Sequence, residues 1–169
     1  MAIAPSEIKF YLSGGPANAL GDAALGGVIS GTEASSVVNE LFDYISADEA
    51  YAGESEYRCV YLKNTNASET LYNTVVWVAV NTPDTDTSAE IGLGTSAVNG
   101  VEPTIADENT APAGVTFSAA PNAASSLSIG DIPSGEHKAV WIKRTVSTST
   151  ISGYAADYVT LYVRGGTAV

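Results

Sequence analysis

The carboxylates of Asp84-Thr85-Asp86, which follow Pro83, and of Asp107-Glu108 are the side chains whose type and spacing come closest to chemistry. Grouped loop carboxylates are oxygen ligands for a hard cation such as Ca²⁺. The EF-hand pattern is not met, so both groups read first as solvated acidic turns; a divalent ion bridging them at a crowded assembly surface is the alternative. His137 stands alone at the end of a turn, with no Ser-His-Asp order around it, which predicts a surface imidazole. Cys59 is the single cysteine, so no disulfide forms within the chain, and its place between Arg58 and Val60 in an apolar run predicts a small core residue.

Three short motifs carry less. Leu12-Ser13-Gly14-Gly15 has the four-letter signature of ABC-type ATPases, but no GxxxxGK[ST] phosphate loop accompanies it. Gly92-Leu93-Gly94 is a fragment of the dinucleotide pattern, yet position 97 is Ala and no βαβ unit follows. Those glycines read as a bulge or as close packing. Asn66-Ala67-Ser68 is a glycosylation sequon, expected to stay unused because MAIAPSEIKF has neither the basic nor the apolar region of a secretory leader. No catalytic, cofactor-binding or metal residues are assigned, and the expectation is a protein that is not an enzyme and needs no cofactor.

The elements that hold these residues are strands. Residues 57–63 (YRCVYLK), 71–80 (LYNTVVWVAV), 138–146 (KAVWIKRTV) and 158–164 (YVTLYVR) alternate apolar and polar side chains or carry β-branched and aromatic runs. Ile8, Phe10 and Leu12 mark a first strand. Ala89–Val98 and Val101–Ile105 flank Asn99-Gly100, which predicts a type I′ hairpin. Val115–Phe117 and Leu127–Ile129 are short strand candidates. Val37, Val38, Leu41, Phe42 and Ile45 suit a helix face and a strand equally. Ser46 and Glu49 form a capping box with Gly53 as a stop, predicting a short helix over 47–52.

Between these lie a Gly-rich arm at 13–31 and a Pro/Ala/Ser-rich loop at 106–126. The whole of 1–169 therefore reads as one all-β domain, an antiparallel sandwich of Ig-like or jelly-roll-like type with at most one short helix. The paired cysteines of antibody domains are missing. Strand 71–80 is apolar on both sides, so the arm, the 92–126 excursion or another chain must cover its outer face. Trp77, Trp141, Tyr158 and Tyr162, with Leu20 and Leu25 of the arm, are the candidate interface residues; packing beneath the chain's own loops is the alternative.

Charge narrows the partners. With 19 acidic and 7 basic residues the net charge is −12, which disfavours phosphate backbones and anionic membranes. No apolar run approaches the roughly 20 residues of a membrane span. Charged residues make up only 15% of the chain, so its polar surface is mostly Ser, Thr, Asn and Gly, side chains that cost less than ions to bury against a neighbour.

The blocks IKFYLSGG (8–15), EYRCVYLKN (56–64), EIGLG (90–94), TAPAGVTFS (110–118) and IGDIPSGEHKAVWIKRTV (129–146) together resemble a family of short acidic proteins encoded among the virion genes of tailed bacteriophages. The resemblance spans most of the chain and implies a virion structural protein assembled in the host cytoplasm. It points to a capsid decoration (cement) protein that binds the major capsid protein and neighbouring copies of itself, with a trimer as one arrangement. A tail or baseplate component, or a host-binding module using loops 82–88 and 106–126, is the second reading. A polysaccharide-active enzyme is the third, and it would need a carboxylate pair in a cleft.

Overall fold

The computed structural model describes residues 2–37, 40–148 and 158–167. Among these residues seven strands form two antiparallel sheets: β1 (Ile8–Leu12), β2 (Glu54–Asn64), β3 (Leu71–Val80), β4 (Thr87–Leu93), β5 (Leu127–Ile132), β6 (His137–Val146) and β7 (Thr160–Gly166). One sheet has the order β1-β2-β6-β4 and the other β5-β3-β7. The one α-helix among the described residues, α1 (Ala47–Ala52), begins at the predicted capping box, where the Ser46 hydroxyl accepts from the Glu49 N–H and the Glu49 carboxylate accepts from the Ser46 N–H. It stops at Gly53, whose φ of 70° a side chain would resist.

Side-chain alternation fixes which residues meet between the sheets. Val60, Leu62, Val140 and Ile142 of the four-stranded sheet pack with Val76, Val78, Leu71 and Ile132 of the three-stranded one. The opposite face of β2 and β6 is as thoroughly covered: Tyr57, Cys59, Tyr61, Ala139 and Trp141 form a second buried cluster, roofed by Ile29, Ile105, Val115 and Phe117. Cys59 is thus the core residue its position predicted.

The Gly-rich arm 13–31 supplies part of that roof, through Ile29. The arm lies on its own sheet, where the Ala24 carbonyl accepts from Cys59 N–H, Leu25 carbonyl accepts from Ile105 N–H, and Ser13 and Ala24 are fully buried. β1 ends at Leu12, so the edge of β2 beyond it needs new partners, and the arm supplies them.

Three local expectations also change. Gly94–Ile105 is not a hairpin: β4 ends at Leu93, and the Glu102 carboxylate instead accepts from the N–H groups of Thr95 and Ser96. Asn99 keeps a positive φ of 59°, but the following residues pair with the arm at Gly27 rather than with β4. Val115–Phe117 forms no strand; the ladder contact falls one residue later, at Ser118 with Ile91. Val38 lies outside the described residues; of those described in 37–45, none is in a helix or a strand and Ile45 makes only an isolated bridge. Arg58 Nε donates to the Leu41 carbonyl and Arg144 Nη1 to the Asp43 carbonyl, so guanidinium groups satisfy the backbone there in place of a regular ladder.

Candidate functional site

Charged side chains in the interior are the first place to look for chemistry. Arg58 and Arg144 project from β2 and β6 into one end of the space between the sheets, where their guanidiniums lie 5.2 and 5.0 Å from the centre of the Phe42 ring. Arg144 pairs with Glu56 and, at 3.2 Å, with Asp43; Arg58 pairs with Glu108 and, at 3.6 Å, with Asp22. Asp43, Glu56 and Glu108 offer oxygens within 4.8 Å of one another, a spacing that would suit a cation. Two guanidiniums already neutralise them, so the geometry is that of a structural ion cluster. Burial pushes the Glu56 carboxyl up to about 7, against the opposing pull of Arg144.

A second network centres on Glu102, which is 2% exposed. Its carboxylate accepts from Thr95 and Ser96 N–H, both at 2.8 Å, and from Trp141 Nε1 at 3.0 Å. Its own N–H donates to the Tyr61 hydroxyl, which donates in turn to the Gly27 carbonyl. Burial alone would raise this carboxyl, but the hydrogen bonds from Ser96, Trp141 and Thr95 outweigh it and hold the group below its ordinary value. The network ties the loop after β4 to the arm and to both central strands. His137 is not a surface imidazole: it is 9% exposed and sits edge-on to Tyr61, and burial, aided by Lys63, lowers its proton affinity.

The sheet edges show where the fold is finished and where it is not. β1 is covered by residues 30–34, through bonds from Leu12 N–H to Thr32 and from Ala34 N–H to Phe10. On the opposite side, residues 118–120 bond to both sheets: Ser118 exchanges two bonds with Ile91 of β4, and the Ala120 carbonyl accepts from Val78 of β3. β5 is broken by register shifts against β3 and exposes Asp131. Among the described residues no backbone group outside β3 bonds to β5 or to β7, and of these two free edges it is β7 that borders an apolar gap.

Beside that bare edge the sandwich gapes. A groove of about 490 Å³ runs between β1 and β7, lined by Ile3, Ile8, Phe10, Leu71, Leu161 and Val163, with Tyr162 and Arg164 at its rim. No Asp or Glu lines it, in a chain of net charge −12. On the outer face of β3 and β7 Trp77 and Tyr162 stack at 5.6 Å, and Tyr162 is 55% exposed.

The predicted interface residues therefore divide. Tyr162 and Trp77 come together at the open edge, and Tyr158 precedes β7 with its side chain exposed. Leu20 is exposed on the arm, away from them, and Leu25 is half-buried beneath it. Trp141 is a correction: it is wholly buried under the chain's own arm and loops, held by Glu102. Comparison with family models, curated proteins and solved structures finds no match. The acidic loops do not converge on one cation site: Asp84 accepts from its own loop at Asp86 N–H, Asp107 accepts from Thr110, and Glu108 is taken by Arg58. Sequence reasoning missed Glu102 and the groove. The alternation Val159, Leu161, Val163 was visible as one side of the last strand, but nothing in it says that β1 fails to close over that side.

Proposed function

We propose that this chain is a non-enzymatic structural protein of a phage particle, a decoration protein that binds the capsid shell and stabilises it. One observation carries the assembly half of this reading: an apolar groove, stacked aromatics and the unpaired edge of β7 coincide on one side of the sandwich. Contiguous apolar surface beside an unpaired edge is what a protein interface uses. The two buried ionic networks are committed to holding loops on the sheets, which favours a scaffold over a reaction centre. The resemblance to virion proteins supplies the particle.

A shell-binding protein acts by mass action on the assembled state, and many weak contacts in register sum to a firm one. The acidic charge keeps free copies apart and favours docking on a basic floor. Quantitative mass spectrometry of purified virions tests the reading. Copy numbers comparable to the shell subunit are expected; copies limited to a few per particle would place the chain in the tail, and its absence from particles would refute the proposal.

A further inference from the structure

The order β1-β2-β6-β4 reproduces the A-B-E-D sheet of an immunoglobulin-type sandwich, and β3 paired with β7 reproduces its C–F pair. β5 is then an addition on the far side of β3. The place of strand G, against the outer edge of β7 and over the gap toward β1, holds no described strand. The groove occupies that place, so its floor is the core surface that a seventh sandwich strand would otherwise cover.

The geometry points to β7 as an acceptor for a strand donated by a partner polypeptide, which pairs with its outer edge and fills the groove with alternate apolar side chains. This deepens the assembly reading above by naming how the contact is made. β7 presents seven residues for pairing, and strand addition to a bare edge takes affinity from the backbone and selectivity from pockets for every second side chain. Leu161 and Val163 face the groove while Tyr162 and Arg164 face outward, so the incoming strand needs apolar residues at its inward positions.

Charge selects the rest of the occupant. Arg164 is the one charged residue along the groove and no carboxylate balances it there. An incoming strand with Asp or Glu on its outer face, level with Arg164, gains a pair; one with Lys there is repelled. Residues 30–34 cover β1 and 118–120 cover β4 and the upper part of β3, while the free edge of β5 lines no part of the groove.

The test uses the purified full chain and a synthetic peptide as long as β7, valine alternating with threonine and one glutamate placed to face Arg164. Two further peptides carry lysine for that glutamate, or proline at alternate positions. Hydrogen exchange should show the outward β7 amides open in the free monomer and protected with the glutamate peptide, and the proline peptide should not bind. Arg164→Glu should weaken the glutamate peptide roughly three- to fivefold and favour the lysine peptide by a similar factor. The inference is overturned if no peptide protects β7, if proline makes no difference, or if those amides are already protected in the monomer. A concentration-dependent dimer that protects β7 would overturn it too, assigning the edge to a second copy. None of these readouts involves particles, so a failure here with high copy number in virions would remove the donated strand and leave the decoration role standing.

Discussion

Arg58 and Arg144 bring two permanent charges into the sandwich, and each is held by carboxylates that would otherwise repel one another. Removing one partner strands the rest: Arg144→Met should cost about 3–5 kcal/mol in chemical denaturation, with Glu56→Leu added to it recovering much of the loss. Glu102 shows its role through pH. Its carboxyl titrates below the ordinary 4.5, so its contribution is present above that value and is lost as pH falls through the lowered folded value. The stability gap between the native chain and Glu102→Gln should therefore shrink on acidification below 4.5, and a gap that ignores pH would contradict the assignment. His137 acts in the same direction from its ordinary 6.5 downward, since its imidazole must be charged against burial. Glu56 has the opposite sign: raised from 4.5 to about 7, it binds its proton more tightly when folded, so its contribution falls as pH rises through that window. None of these roles was legible in its sequence context, unlike the buried Cys59 within its apolar run. A lone His reads as surface, and a Glu between Val101 and Pro103 carries no sign that two N–H groups and an indole will converge on it.

At the scale of elements, local chemistry was readable wherever the partner was also local. The capping box of α1 involves residues three apart, and Ser46→Ala should lower stability by about 1 kcal/mol. The strands at 57–63, 71–80 and 138–146 followed from alternation because each packs a core face. The hairpin at Asn99-Gly100 failed because a distant partner won: Glu102 and Gly27 hold the loop that turn chemistry alone would have zipped onto β4. Gly94 makes this capture possible. A Cβ there would lie 2.5 Å from the Ala139 side chain and 2.7 Å from the Glu102 carboxylate, so Gly94→Ala should destabilise by about 1–3 kcal/mol and lessen the acid dependence assigned to Glu102. The path of the arm was not legible for a similar reason: glycine density signals irregular backbone, and only the face of β2 and β6 decides where that backbone lies.

For the whole molecule, the sandwich was expected from strand spacing, and the strand 71–80 was correctly seen as apolar on both sides. What covers each face depends on contacts across the fold that no local pattern encodes. The arm and the 95–118 excursion went to the four-stranded sheet, while the outer face of β3 stacks Trp77 on Tyr162 and the β1–β7 side stays open among the described residues. That opening is where an acidic protein shows no negative charge, and the account places assembly there. The most direct measurement is a cryo-EM map of the intact phage particle proposed to carry this chain. It should show many copies on the shell with the β1–β7 groove turned toward, and filled by, a neighbouring polypeptide. Copies attached through another face, with that groove open to solvent, would contradict the account.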